Sequence, residues 1–318
     1  MNDKPLIAHL PASIQTRVRS AKQAGETATV VLDASGLDAA RRSELEQAVR
    51  EILLQLETVS EVRVAMTAER TTRRIIAIGS GKGGVGKSTL TANLAVALAR
   101  AGRKVGVVDA DIYGPSQPTI LGNQGERPIA ENDKLVPVES SYDVPVLSMG
   151  HLVEPNKAIA WRGPMAGNAL SQLIDANWGE VDTLLVDLPP GTGDVQLSML
   201  QRFKPAGAVI VSTPQDLALI DARRAAQLFD AADVPIIGLV ENMAGYACPH
   251  CGEVSDPFGQ GGVETAAEAM QVPFLGRIPL KLAIREAGDA GTPPAANDEE
   301  DGKAFNQVAE RLAAWLDK

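Results

Sequence analysis

The feature that most constrains this chain is a glycine-rich run set between a strand and a helix. Ile75–Ile78 is an aliphatic run of strand type, GSGKGGVGKSTL follows it, and helical spacing begins at Lys87 and continues to about Ala101. Within the run, Gly81 to Ser88 fits G-x-x-x-x-G-K-[ST] in the strand–loop–helix context that gives the pattern its meaning. Gly83, Gly84 and Gly86 let backbone N–H groups curl around phosphate oxygens without Cβ clashes, and the helix behind them contributes the positive end of its dipole. Lys87 is expected to neutralise β/γ-phosphate oxygens and Ser88 to reach Mg²⁺. The predicted nucleotide wall is therefore Gly81, Lys82, Gly83, Gly84, Val85, Gly86, Lys87, Ser88 and Thr89.

The rest of the chain repeats the same alternation. Strands are predicted at Ile75–Ile78, Lys104–Val108, Thr183–Asp187, Ala208–Ser212, Ile236–Glu241 and Pro273–Ile278, with helices at about Lys87–Ala101, Met165–Asn177, Leu217–Ala232 and Gly262–Met270. Continuous aliphatic strands such as LLVD and AVIV suit parallel strands covered on both faces. The fold class is thus α/β, a doubly wound and mostly parallel sheet with ligand loops at the carboxyl ends of its strands. Composition agrees. Of 318 residues 45% are apolar, enough for a core, but only 3% are aromatic, which disfavours an all-β sandwich and base-stacking nucleic-acid modules. Forty acidic against thirty basic residues leave a net charge of −10, against general nucleic-acid binding. No apolar run approaches a transmembrane span and MNDKPLIAHL lacks a hydrophobic signal core, so no membrane partner and a cytoplasmic location are expected.

Residues 1–68 read as a separate small α+β appendage. Ala28–Leu32 is a strand, Asp38–Thr58 a helix with Leu45, Val49, Ile52, Leu53 and Leu56 on one face, and Ser60–Met66 a second strand. The polar run TAERTTR, Thr67 to Arg73, reads as a linker to a nucleotide domain spanning 72–318. At the other end, TPPAANDEED leads to a last helix, Lys303 to Asp317, with Phe305, Val308, Leu312, Trp315 and Leu316 able to share a face. It is not strongly basic, so packing onto the domain is expected rather than membrane targeting.

Three further strand ends carry chemistry. VVDADIYGPSQP places Asp109 and Asp111 two residues apart, where an extended chain points both toward one side of the phosphate site. A metal-bound triphosphate needs a group that positions the attacking water, and an aspartate here supplies one. LLVDLPPGTGD ends at Asp187, an aspartate after four apolar residues, the Walker B arrangement that touches Mg²⁺ through water. Asn242 follows IIGLVE.

The only two cysteines, Cys248 and Cys251, form CPHC. Two thiolates cannot complete a tetrahedral metal or a cubane cluster. Three completions are open: a zinc site drawing on His250 and a remote histidine, a dithiol redox switch, or a two-fold dimer pooling four thiolates. The chain has three histidines, His9, His151 and His250, and the loop lies in a nucleotide domain, so two-fold sharing is preferred. Ligand chemistry alone does not decide between zinc and iron–sulfur.

The loop KGGVGKST resembles the deviant Walker loop of the MinD/ParA/nitrogenase-iron-protein class. The ordered set GKGGVGKSTL, DADIYGPSQP, WRGPM, DLPPGTGD, VENM with CPHCG, and IPL…IREAGDAGTP, from Gly81 to Pro293, resembles the Mrp/ApbC family of iron–sulfur cluster carrier ATPases over essentially all of residues 72–318. The cysteine pair separates it from MinD and ParA. The resemblance implies a homodimer that binds ATP and Mg²⁺, hydrolyses ATP slowly, carries a [4Fe–4S] cluster bridged between two subunits by Cys248 and Cys251, and delivers it to apo iron–sulfur proteins. It implies that Lys82 crosses to the partner's nucleotide, that Asp111 is the switch-I aspartate, that Asn242 reads the adenine edge and that Pro279 belongs to a segment closing over the base. Residues 1–66 are similar to the small iron–sulfur assembly domain of many members only in a strand–helix–strand core, without its Asp-Pro-Glu segment or cysteine. The competing readings are a MinD/ParA-like positioning ATPase and an ATP-driven electron donor resembling the nitrogenase iron protein.

Overall fold

The computed structural model describes residues 4–34, 37, 39–67, 73–152, 163–248 and 250–318, so most of the expected linker, Trp161 and Arg162 of WRGPM, and Pro249 lie outside the described residues. The chain divides into two units, Met1–Thr72 and Arg73–Lys318.

In the first unit, short helices α1 (Lys4–Ile7) and α2 (Ala12–Gln15) precede β1 (Val18–Ala24), β2 (Thr27–Asp33), α3 (Ala39–Leu54) and β3 (Glu61–Thr67). The expected strand–helix–strand core is present as β2–α3–β3, with β2 and β3 parallel. Strand β1 was not anticipated, because VRSAKQA is polar and without alternation. It forms a hairpin with β2, antiparallel, and completes a three-stranded sheet of order β1-β2-β3. Val30, Leu32, Val49, Leu53 and Val62 close its core.

The second unit contains β4 (Arg74–Ser80), α4 (Lys87–Arg100), β5 (Val105–Asp109), α5 (Gln117–Ile120), the hairpin β6 (Ile129–Glu131) and β7 (Lys134–Val136), β8 (Val146–Ser148), α6 (Gly163–Ile174), β9 (Thr183–Asp187), α7 (Asp194–Phe203), β10 (Gly207–Ser212), α8 (Asp216–Ala231), β11 (Ile236–Ala247), β12 (Val254–Ser255), α9 (Gly262–Met270), β13 (Phe274–Leu280), α10 (Leu282–Asp289) and α11 (Glu300–Leu316). Seven strands run parallel in the order β13-β11-β10-β4-β9-β5-β8, and β12 pairs antiparallel with the far end of β11.

Strand residues feed two apolar layers alternately. Ile76, Ile78, Val107, Leu185, Val209 and Val211 pack beneath α4 and α11, while Ala77, Val108, Leu184, Val186, Ala208 and Ile210 pack beneath α6, α8 and α9. Burial on both faces is why these strands read as unbroken aliphatic runs. The apolar face of α11 is consumed here: Phe305, Val308, Leu312 and Leu316 are buried and Trp315 packs against the same layer. No described helix is long and apolar enough to cross a membrane. From β4 the chain winds outward to β5 and β8, then returns through β9 and crosses β4 to β10. The strand order therefore reverses at β4 and β9, and the crevice at their carboxyl ends is where such a sheet receives a ligand.

Candidate functional site

A cavity of about 550 Å³ opens at that crevice. Its floor is Lys82, Gly83, Gly84, Val85, Gly86, Lys87, Ser88 and Thr89, one wall is Asp111 with Gly114–Ser116, and the opposite wall is Asn242, Met243, Pro279, Lys281, Ile284 and Arg285. Its size suits one nucleotide. Gly86 takes φ 81° immediately before α4, and a Cβ there would overlap the Asn242 side chain, so the tight turn and the close neighbour both require glycine. Gly81 does not line the cavity. It packs against the backbone of Asp221, where a Cβ would also overlap.

Below the floor lies a buried polar network. Lys87 is 6% exposed and its ammonium is paired with the fully buried Asp187 carboxylate. Asp187 also accepts a bond from Thr91 Oγ1 at 3.4 Å and from Gln117 Nε2 at 2.8 Å. Asp187 thus sits behind Lys87 rather than on the cavity wall. Asp109, directly opposite Asp187 in the β5–β9 register, is buried too. It accepts bonds from the N–H of Asp111 at 3.2 Å, the N–H of Gln117 at 3.1 Å and Ser148 Oγ at 3.0 Å. The expectation that Asp109 and Asp111 face the same side is corrected here. The strand ends at Asp109 and the chain turns, so strand alternation does not extend to Asp111. Only Asp111 reaches the cavity, where its carboxylate caps the N–H groups of Tyr113 and Gly114 at 3.1 and 3.3 Å. Burial, and then the nearby Asp187 charge, push the Asp109 carboxyl up to about 7.

Lys82 Nζ donates to Gln215 Oε1 at 3.1 Å, which holds the amine at the rim before α8. Asn242 lies inside β11, not after it, because the strand runs on to Ala247. Its Nδ2 donates to Val85 O at 2.7 Å, and its Oδ1 accepts the N–H of Met243 at 2.9 Å. One amide hydrogen and one lone pair remain free for a base edge. The neighbouring Glu241 is fully buried and accepts from the N–H groups of Gly261 and Val263, at 3.2 and 2.9 Å, and from Arg277 Nε at 2.8 Å. It anchors the strand just before Asn242. Met243 then adopts φ 60°, a conformation a bulky side chain rarely takes, and pairing with β13 loses register between Asn242 and Tyr246.

Beyond this bend, β11 and β12 form a hairpin whose turn holds the cysteines. Cys248 is half-buried and Cys251 exposed, and neither lines the cavity. The N–H of Cys248 donates to Glu253 O at 2.9 Å and that of Gly252 to Cys248 O at 2.8 Å. Backbone N–H groups of Cys251 and His250 aimed at the Cys248 sulfur pull its thiol below the usual range. Among the described residues, no group of three or more His, Cys, Asp or Glu side chains is placed to hold a metal ion, so the pair has no third intrachain ligand there.

Gln117, Ser148, Met243, Lys281 and Arg285 have no role assigned from the sequence, although Gln117, Met243 and Arg285 lie within the quoted motifs. Their positions at the site depend on neighbours distant in the chain.

Comparison with known proteins places this architecture. A family model described as ParA, NUBPL iron-transfer P-loop NTPase, matches residues 71–313. An iron–sulfur cluster carrier protein of Deinococcus radiodurans is 43% identical over 312 residues, covering 94% of this chain and 88% of that protein. One from Escherichia coli is 45% identical over 247 residues, 77% of this chain and 67% of that protein. Among solved structures, the nucleotide-binding protein of Archaeoglobus fulgidus in complex with ADP is 39% identical, with a TM-score of 0.63 over 73% of this chain and 91% of that one.

Proposed function

The chain belongs to the family of NUBPL-type iron-transfer P-loop NTPases, and from that premise we propose that it is a nucleotide-gated carrier of a [4Fe–4S] cluster. Two copies pool Cys248 and Cys251 to hold the cluster, and the dimer passes it to apo iron–sulfur proteins in the cytoplasm. The observation that carries this reading is that one strand serves both sites. Strand β11 touches the phosphate loop through Asn242 and Val85 and six residues later presents Cys248. A change at the nucleotide therefore has a short covalent path to the cluster ligands.

At the cavity, the loop N–H groups and Lys87 bind the phosphates of ATP, and Asn242 with the Pro279 segment holds the base. The donor set fits Mg²⁺, which takes hard oxygen ligands and keeps several waters. Ser88 lines the cavity floor, and Gln117 joins the Ser88 carbonyl to Asp187 by bonds of 3.0 and 2.8 Å. Ser88 would hold the ion, and Asp187 would reach its waters once Lys87 has turned from Asp187 to the phosphates. When bound, Mg²⁺ neutralises charge on the β- and γ-phosphates. Asp111 orients the attacking water. Lys82 exchanges its bond to Gln215 for the partner's nucleotide, which makes hydrolysis depend on the dimer. Residues 1–68 serve as a docking or stabilising appendage without cluster chemistry of their own, since both cysteines lie in the nucleotide domain.

The positioning-ATPase alternative loses its membrane device, because the apolar face of α11 is buried in its own domain. The deciding experiment is anaerobic reconstitution with iron and sulfide, followed by metal analysis and light scattering. About four irons and four sulfides per dimer are expected. Stoichiometric zinc that resists replacement, or a full cluster on a monomer, overturns the reading.

A further inference from the structure

Gln117 closes the loop that carries Asp111. That loop leaves β5 at Asp109, and the two Asp109 carboxylate oxygens pin both of its ends: one accepts the N–H of Asp111 at 3.2 Å, the other the N–H of Gln117 at 3.1 Å. From the far pin, the Gln117 side chain reaches sideways. Its Nε2 donates to Asp187 Oδ2 at 2.8 Å and to the Ser88 carbonyl at 3.0 Å. One fully buried residue thus ties together the Asp111 loop, the carboxylate at the end of β9 and the first turn of α4.

The amide orientation is dictated by its partners. Both Asp187 Oδ2 and Ser88 O are acceptors, so a flipped amide would set its oxygen against two oxygens. In the bonded orientation Oε1 is buried without a partner. An orphaned acceptor is costly in a core, and an aliphatic side chain would fill the same space without that penalty. The amide at this position is explained by its two donated bonds, to Asp187 and to the Ser88 carbonyl, rather than by packing.

We infer that Gln117 is a positioning residue for Mg²⁺-dependent nucleotide handling: it sets Asp187 and the Ser88 turn against the loop that bears Asp111. The inference rests on the ATPase reading above. Gln117 bonds to the Ser88 carbonyl and to Asp187 rather than to a phosphate-binding N–H, so its loss acts through the cation shell and leaves the loop's N–H donors and the base wall in place. The affinity for nucleotide without Mg²⁺ depends only on those two elements, whereas the gain in affinity on adding Mg²⁺ depends on the brace.

The test compares wild type with Gln117→Met, which keeps the volume, and Gln117→Glu, which keeps the shape but sets a carboxylate against Asp187. Binding of a fluorescent methylanthraniloyl-ATP is titrated with Mg²⁺ and with EDTA, alongside kcat, KM and melting temperature. The expected result is EDTA affinity within about twofold of wild type, a half-saturating Mg²⁺ concentration raised about tenfold, and kcat lowered about tenfold with KM little changed, the pattern of an interaction realised in the transition state. The inference is overturned if either folded variant keeps the wild-type Mg²⁺ dependence, or if affinity falls equally with and without Mg²⁺. It is also overturned if both variants fail to fold, which would make Gln117 a plain structural brace. If wild type itself shows no Mg²⁺-dependent nucleotide binding, it is the ATPase reading that fails.

Discussion

At the carboxyl ends of β4, β5 and β9, Lys87, Asp109, Gln117 and Asp187 are buried and bonded to one another within one chain. At the end of β11, Cys248 and Cys251 sit on a two-stranded hairpin with one thiol exposed, and no third ligand accompanies them among the described residues. The two regions share a strand but not a design. The nucleotide end is preorganised as a closed polar network: Lys87, Asp187 and Gln117 already satisfy one another below the cavity floor, so Lys87 has to leave Asp187 to meet a phosphate. The cysteine end presents two thiols on an accessible turn, half of the set that the proposed four-thiolate cluster needs. Charge control differs in the same sense. Burial pushes the Asp109 carboxyl up, whereas backbone N–H groups pull the half-buried Cys248 thiol down and favour the thiolate.

The largest expected effect tests whether the cysteine end is truly incomplete. Cys248→Ala or Cys251→Ala removes two of four pooled ligands, so iron and acid-labile sulfide should fall from about four to below about one per dimer. The melting temperature of the metal-free protein should move by less than about 2 °C, because the turn lies outside the core. A structural zinc knuckle predicts the opposite, a clear loss of stability with the metal.

Next comes Lys87→Ala, which strikes the preorganised end. Phosphate release should drop ~10²–10³-fold. The melting temperature should fall as well, since Asp187 is left buried without its cation. Reconstituted iron should stay at the wild-type level. Iron lost in step with turnover would mean that the two regions are one site.

A subtler experiment asks where one chain's nucleotide site ends. Lys82→Ala subunits mixed with Lys87→Ala subunits form heterodimers in which, if Lys82 acts on the partner, one site is complete and the other lacks both lysines. Activity above the sum of the two parents is expected. A strictly additive mixture would confine Lys82 to its own chain, where Gln215 already holds it.

The smallest effect is a pH slope. Asp109 keeps its proton in the folded state up to about pH 7, whereas the unfolded chain releases it near 4. The folded state therefore binds the extra proton in that window, and the Asp109 contribution to stability is fully present below about pH 4 and is lost as pH rises through about 7. Melting temperature scanned from pH 5 to 8 should fall, and Asp109→Asn should flatten the slope whatever its absolute stability. An unchanged slope would show that Asp109 does not titrate there.

Much of this was legible in the linear chain. The helix at 262–270 and the strand at 183–187 fall where periodicity puts them, and the doubly wound sheet follows from aliphatic runs alternating with helical spacing. The phosphate loop is readable because all its residues are consecutive and its glycine and lysine needs are local. What escaped includes short or polar segments: β8 is three residues long, β1 is VRSAKQA, and the strands of the β6–β7 hairpin are three residues each. Such segments take their conformation from neighbours that supply the missing bonds.

By itself, then, the sequence determined the fold class, the position of the phosphate loop on it, and the count of two cysteines that makes one chain insufficient for a four-thiolate cluster. The tertiary structure alone decided that Asp109 turns inward while Asp111 faces the cavity, that Gln117 bridges elements 29 and 70 residues away in the chain, and that β11 runs on past Asn242 to Ala247, with Asn242 bonded to the phosphate loop. The physical reason is range. Backbone propensity and pattern act over a few residues, whereas the burial that shifts a carboxyl and the partner that satisfies an amide come from strands that meet only when the sheet closes.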